Sequence, residues 1–266
     1  MSTVSPKVCL TIAGLDPSGG AGVIADIKTF SAFGCFAAAA ISSITFQNTT
    51  GVFGSVHQTA EAVRGQVEPV LRDYRVAAVK TGMLPTREVI EETVRLIKEN
   101  GLENIVVDPV VRSTSGFDLI DDAAIQSLIE LLFPLSDVIS PNIPEAERIS
   151  GTEIKTADDI ETAAGIMQSM GARNVLIKGG HFLHPEGAGK KATDFLFAGS
   201  ELYVFEDDFI ETAATHGTGC TLSSAIAANL ALGKNLSEAV RLSKDFVTNA
   251  IRTAPNLGHG NSPINI

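Results

Sequence analysis

Short, almost uninterrupted apolar runs alternate with amphipathic stretches along most of this chain. A strand that is apolar on both faces needs cover on both faces. The intervening stretches can supply it as helices, so the pattern selects a mainly parallel sheet flanked on both sides. Residues 8–13 read as a strand, followed by a glycine-rich turn and a helix over 23–33. Residues 37–44 read as a second strand, and a helix over 60–72 leads to a strand over 76–80. Helix 88–99 precedes strand 104–107, helix 122–132 precedes strand 137–139, and helix 158–170 precedes strand 174–178. The alternation then breaks. Residues 192–197 and 201–205, joined by 198–200, have the form of an antiparallel hairpin, and helices over 218–232 and 237–252 close the chain. With no internal repeat or low-complexity linker, one domain over 1–266 is expected.

Composition narrows the partners. Among 266 residues, 44 % are apolar and 19 % charged, an ordinary globular balance. The 20 basic side chains face 31 acidic ones, for a net charge of -11, which argues against a nucleic-acid or anionic-membrane surface. Cys9, Cys35 and Cys220 are widely spaced and suggest neither a zinc site nor a disulfide framework. No secretory leader is recognisable, and the stretch 33–44 is too short to span a bilayer, so a cytoplasmic location is expected.

In an open parallel sheet, ligands meet the loops after the strands. The first such loop, Gly14-Leu15-Asp16-Pro17-Ser18-Gly19-Gly20-Ala21-Gly22, suits a ligand clamp or a tight turn into a helix. It matches neither the P-loop nor GxGxxG. Asp26, in the helix that follows, reads as a solvated or capping carboxylate. The second loop, Thr215-His216-Gly217-Thr218-Gly219-Cys220-Thr221, frees successive amides at a helix start and so suits a phosphate or oxyanion. Cys220 falls in the first helical turn, where a lowered thiol pKa is expected. In Ser140-Pro141-Asn142-Ile143-Pro144-Glu145, Asn142 and Glu145 share a helical face. They form either a capping box or the hold on a hydrated Mg²⁺.

Other positions carry weaker signals. Lys178, before Gly179-Gly180-His181, suits a phosphate or a surface turn, and Asp108 suits a metal or a cap. Gln47, in Gln47-Asn48-Thr49 after the second strand, offers a donor beside an acceptor that matches an aminopyrimidine edge, or it belongs to a polar turn. Met83 reads as core or as ligand wall. His57, His184 and His259 have no identifiable partners in the sequence.

The segments IAGLDPSGGAGVIADIKTF, QNT, KTGML, DPV with the later TSG, PNIPEAE, KGGH and THGTGCT occur in one order over 8–262. In that order they resemble the hydroxymethylpyrimidine and phosphomethylpyrimidine kinases of the ribokinase-like superfamily. The resemblance implies an α/β, ribokinase-like fold with a mainly parallel central sheet flanked by helices. It implies ATP-dependent phosphorylation of 4-amino-5-hydroxymethyl-2-methylpyrimidine, and then of its monophosphate, on the way to thiamine. By the same resemblance Cys220 is the general base, and Gly217, Thr218 and Gly219 form the anion hole. Gln47, Gly14, Met83 and Val110 line the pyrimidine pocket, and Asp26 joins the substrate-binding candidates. Lys178 and Asn142 attend the ATP phosphates, while Glu145 and Asp108 hold Mg²⁺ through water. A homodimer is expected.

Leu15 replaces a usual hydroxyl residue, Phe46 could narrow the pocket, and Val111-Arg112-Ser113 places a charge in a loop that is apolar in the family. The rival readings are a pyridoxal or pyridoxine kinase and a non-catalytic ligand sensor on the same fold. Retention of Cys220, Asn142, Glu145 and Lys178 speaks against the sensor.

Overall fold

The computed structural model describes residues 5–111, 119–180 and 190–266. Strand β1 (Val8–Leu15) leads through α1 (Gly22–Ala32) to β2 (Phe36–Asn48), which turns directly into β3 (Gly51–His57). Then follow α2 (Ala60–Asp73), β4 (Val76–Thr81), α3 (Arg87–Glu99) and β5 (Ile105–Val107). Helix α4 (Asp122–Ser127) widens into a π-turn over Leu128–Leu132 and ends at a 3₁₀ turn containing Pro134. Next come β6 (Val138–Ile139), α5 (Ile143–Ser150), α6 (Ala157–Ser169), β7 (Asn174–Lys178), β8 (Lys191–Ala198) and β9 (Glu201–Asp208). Helices α7 (Thr218–Ala231) and α8 (Leu236–Arg252) close the described order.

All the described strands join one nine-stranded sheet, ordered β3-β2-β1-β4-β5-β6-β7-β8-β9. From β2 to β7 the neighbours are parallel, β3 and β8 run against them, and β9 pairs antiparallel with β8 at the far edge. Successive residues of a strand point to opposite faces, which explains the continuous apolar runs. Cys9, Ala78, Val106, Val138 and Leu176 pack with Phe30 of α1 and Leu222 and Ile226 of α7. Their neighbours Leu10, Val79, Ile105, Ile139 and Ile177 pack with Val63 of α2, Ile90 of α3 and Ile160 of α6. Helix α7 is buried nearly all round, and its Ala225, Ala227 and Ala228 let it lie close on the sheet.

Strand β1 fixes where the site forms. It lies between β2 and β4, and the crossovers to those two strands run over opposite faces of the sheet through α1 and α2. That is a topological switch point, which opens a crevice at the carboxyl ends of the strands.

The expected alternation is observed, with corrections. Gln47 does not follow the second strand but belongs to it, because β2 runs to Asn48 and pairs with the edge strand β3, which the sequence reading omits. Helix α5 was anticipated only as a helical turn. Among the described residues no helix is long and apolar enough to cross a membrane.

Candidate active site

The loop from β1 to α1 folds back on itself. Gly22 has φ +56°, and a Cβ there would lie 2.2 Å from the Gly14 carbonyl oxygen. Within the loop the buried Asp16 gathers donors. Its Oδ1 accepts from the Ser18 N–H (2.8 Å), and its Oδ2 from the Ser18 hydroxyl and the Ala21 N–H (2.9 Å each). His216 Nε2 stands 2.7 Å from Oδ2. Burial alone would raise the Asp16 carboxyl, but hydrogen bonds from His216, Ser18 and Gln47 outweigh it and hold the group at about 2.

The Asp16–His216 contact joins the first loop to the second. Gly217 has φ +86° and forms the N-cap of α7. A Cβ there would fall 1.8 Å from the Gly20 carbonyl oxygen, and one at Gly20 would fall 2.4 Å from the His216 ring. Only glycine allows both loops to meet this closely. The C-terminal segment braces the arrangement, since the His216 N–H donates to the Ser262 carbonyl (3.2 Å) and the Asn261 N–H to the Thr49 carbonyl (2.8 Å). The Thr218 N–H leans to the Thr215 carbonyl at 3.4 Å, a weak tie for a proposed anion donor.

Cys220 follows in the first turn of α7 and lines the crevice. The sequence reading expected its thiol pKa to be lowered; instead burial pushes it up to about 11. Lys80 pulls the other way, and Asp108 and Asp26 push it up further. A backbone amide at Gly22 opposes the rise as well. Beneath the thiol lies a buried polar knot. Lys80 Nζ is 2.9 Å from both oxygens of Asp26, which also accepts from the hydroxyls of Thr11 and Ser224 (2.6 Å each). Burial disfavours the Lys80 ammonium, but Asp26 outweighs that and raises its pKa above the ordinary lysine value. Asp26 is therefore neither solvated nor a cap. It also stands outside the cavity wall, behind Lys80, which does line it.

A third cluster rises from β5, β6 and β7. Lys178 Nζ contacts Asp108 Oδ1 at 2.9 Å. Burial would lower the lysine, yet Asp108 and Glu145 outweigh it and raise its pKa. Asn142 caps α5 by accepting from the Glu145 N–H (2.9 Å), and Glu145 Oε2 accepts from the Asn142 N–H (2.9 Å). The capping box thus exists, and Glu145 lines the crevice as well. Burial raises its carboxyl to about 7, with Lys178 opposing and Asp108 adding to the shift. A Cβ at Gly219 would come 3.2 Å from Lys178 Nζ, so the 217–220 loop and this cation face each other.

These groups border one cavity of about 460 Å³, large enough for a small-molecule site. Gly14, Gln47, Met83, Val110, Asp108, Asn142, Glu145, Lys178, Gly217, Thr218, Gly219 and Cys220 all line it, and of the sequence candidates Asp26 does not. Met83 lies against Gly14, where a Cβ would be 3.1 Å from its sulfur. Phe46 is 52 % exposed and does not line the cavity, so it does not narrow the pocket. Leu15 does line it. Arg112, Ser113, the TSG segment, His181 and His184 lie outside the described residues. His57, for which no partner was foreseen, has Ser43 Oγ 3.0 Å from its Nδ1, and the His259 N–H donates to Thr49 Oγ1 at 3.3 Å.

The sequence reading missed Asp16, His216, Lys80, and the Lys244–Asp194 pair (2.7 Å) on the same wall. Lys80 carried a usable signal. A lysine inside an apolar strand demands a buried carboxylate. Asp16 was hidden in a sequence that also reads as an ordinary turn.

The sequence profile of the family described as phosphomethylpyrimidine kinase matches residues 16–265. The chain belongs to this family. It is 43 % identical over 256 residues to a hydroxymethylpyrimidine/phosphomethylpyrimidine kinase of Bacillus subtilis (strain 168), covering 96 % of this chain and 93 % of that one. A crystal structure of a phosphomethylpyrimidine kinase from Clostridium difficile 630 superposes with a TM-score of 0.80 at 42 % identity, covering 92 % and 99 % of the two chains. A Bacillus subtilis pyridoxal kinase, solved as an ADP complex, superposes with a TM-score of 0.88 at 38 % identity, covering 98 % and 97 %. The ribokinase-like fold class expected from the motifs is therefore the observed one. Backbone shape does not separate the pyrimidine from the pyridoxal enzymes within it.

Proposed function

We propose that this chain, as one kinase domain, transfers the γ-phosphoryl group of ATP to the hydroxymethyl oxygen of 4-amino-5-hydroxymethyl-2-methylpyrimidine. It then phosphorylates the monophosphate, supplying the pyrimidine diphosphate for thiamine. The observation that carries this reading is one cavity on which three groups converge: Gln47, the 217–220 loop that the Asp16–His216 contact ties to the first loop, and Lys178 beside Gly219. This supports a substrate path along which Gln47 reads the ring edge, the loop receives the anion and Lys178 supplies positive charge.

In the reaction the alcohol oxygen bonds to the γ-phosphorus as the bond to ADP breaks, and the alcohol proton passes to the Cys220 sulfur. The reacting form is the thiolate, a minority species below the raised pKa. Lys178 faces the loop that would hold the transferring group, and positioning with charge neutralisation supplies most of the acceleration in such transfers. The donor set fits Mg²⁺, which keeps several waters and takes one or two carboxylates beside substrate phosphates. Glu145 and Asp108, on the same wall as Lys178, would hold it through water. When bound, the ion neutralises charge on the nucleotide phosphates.

The hairpin of β2 and β3 leaves Phe46, Phe53 and Val56 exposed. We assign this apolar edge to contact between copies of a cytoplasmic homodimer. The test of the reaction is product identity. Incubation with ATP, Mg²⁺ and the aminopyrimidine alcohol should yield the monophosphate and then the diphosphate by mass, and neither should form with Cys220→Ala on the same timescale. No phosphorylated pyrimidine from the wild type would refute the reading.

A further inference from the structure

We propose that the segment 257–265 is a strap that holds the β2–β3 turn and the 217–220 loop at a fixed spacing, with Gly260 and Ser262 as positioning residues for phosphoryl transfer. The inference rests on the substrate reading above and deepens it.

The segment leaves α8 and returns to it. The Asn265 N–H donates to the Ala250 carbonyl (3.0 Å), and its side-chain amide donates to the Thr253 hydroxyl (3.3 Å). Inside the segment, the Leu257 N–H donates to the hydroxyl of the buried Ser262 at 2.8 Å and draws the strap closed. Its base is firm, because Ala239 and Val240 of α8 pack in the same cluster as Ile226 of α7.

Three of the segments that build the cavity touch this strap. Thr49 lies two residues past Gln47, in the turn from β2 to β3. Its carbonyl accepts from the Asn261 N–H (2.8 Å) and its hydroxyl from the His259 N–H (3.3 Å). A Cβ at Gly260 would fall 2.1 Å from the Thr49 carbonyl oxygen, so this approach needs glycine. His216, just before the 217–220 loop, forms a short parallel bridge with Pro263. Its N–H donates to the Ser262 carbonyl (3.2 Å) and its carbonyl accepts from the Ile264 N–H (3.4 Å). Pro263 also presses on the first loop, where a Cβ at Gly20 would fall 2.9 Å from its own Cβ.

Consecutive residues therefore hold the two sides of the site. Asn261 holds Thr49 and Ser262 holds His216, and the planar peptide between them fixes the gap. Neither side has a regular element to do this instead, since β3 is an edge strand and residues 209–217 lie between β9 and α7. No residue of the strap lines the cavity, so its contribution is geometric. With the ring on the Gln47 side and the transferring group on the loop, the strap sets how the alcohol oxygen meets the γ-phosphorus. A misplacement of about 1 Å from a change far from the chemistry can cost about 10²-fold in rate. A phosphoryl group out of line with the alcohol is left to water, which attacks the same phosphorus to give ADP, phosphate and a proton.

Two measurements on the full chain test this. The first follows backbone amide exchange in ligand-free wild type, Gly260→Ala and Ser262→Ala, and needs no substrate. Gly260→Ala pushes the strap off Thr49, so exchange at Asn261 and at His216 should quicken together, by about tenfold or more, while Ile226 in α7 stays protected. Ser262→Ala, the milder change, should move the same two amides less and decides the matter if Gly260→Ala fails to fold. Faster exchange at Asn261 with His216 unmoved would overturn the proposal. The second compares kcat, KM for the pyrimidine alcohol, and the ratio of ADP formed to alcohol phosphorylated. Gly260→Ala should lower kcat by about 10–10²-fold, leave KM within about twofold, and raise the ADP-to-product ratio. Simple loss of folded enzyme lowers both products in step, so an unchanged ratio, or a loss confined to KM, would also overturn it. If the wild type phosphorylates no pyrimidine, the substrate reading fails, while the exchange result still decides the strap.

Discussion

Lys80 Nζ and the Asp26 carboxylate meet at 2.9 Å with neither side chain exposed to solvent. Their bond joins β4 to α1, and the Thr11 and Ser224 hydroxyls on Asp26 extend it to β1 and α7. The helix that presents the 217–220 loop is thus fastened to the sheet by a polar contact below the cavity floor. Removing one partner leaves the other charge buried and alone. Asp26→Ala should therefore cost about 3–5 kcal/mol of unfolding free energy, read from urea denaturation, whereas a change near zero would show the pair to be dispensable.

Cys220 offers a test by pH. With its thiol held near 11, the thiolate fraction rises about tenfold for each unit of pH below that value. Alkylation of Cys220 by iodoacetamide in the ligand-free enzyme should climb with that slope from pH 7 to 10. A plateau reached by pH 8 would mean that the helix N-terminus controls the thiol after all. Replacement of Cys220, the proposed base, by alanine should lower kcat by about 10²–10⁴-fold.

Glu145 should show its capping role and the metal role proposed for it. Its carboxyl is raised from 4.5 to about 7, so the folded state holds the proton more tightly than the unfolded state does. Stability from this group is then highest below pH 4.5 and is lost as pH rises to about 7, by roughly 3 kcal/mol in all. Glu145→Gln, neutral throughout, should gain stability relative to the wild type across that window, measured by denaturation at pH 5 and pH 8. The same variant should need more Mg²⁺ for half-maximal rate. A pH-independent difference with an unmoved Mg²⁺ requirement would reduce Glu145 to its capping box.

Much of this was legible in the residues themselves. The period-two split of Cys9 and Leu10, or of Val106 and Val107, onto opposite faces is what continuous apolar runs encode. The carboxyl ends of these strands, and of β6 and β7 beside them, therefore mark Gly14, Asp108, Asn142 and Lys178 in the sequence alone. What escaped was three-dimensional pairing at long range. Asp26 and Lys80 lie 54 residues apart and Asp16 and His216 lie 200 apart, and no local pattern links them. Asp26 looked like a surface carboxylate because the helix α1 that carries it shows few charges to mark which side is buried. The edge strand β3 was missed because Gly51 and Gly54 and its exposed Phe53 weaken the alternation expected of a strand.

Substrate choice tests the central claim most directly. Steady-state kcat/KM for 4-amino-5-hydroxymethyl-2-methylpyrimidine and for pyridoxal should be measured side by side on the wild-type enzyme with saturating ATP and Mg²⁺. The Gln47 edge on the cavity wall, donor beside acceptor, is expected to favour the pyrimidine by about tenfold or more. Equal values, or a preference for pyridoxal, would contradict the assignment of this cavity to an aminopyrimidine.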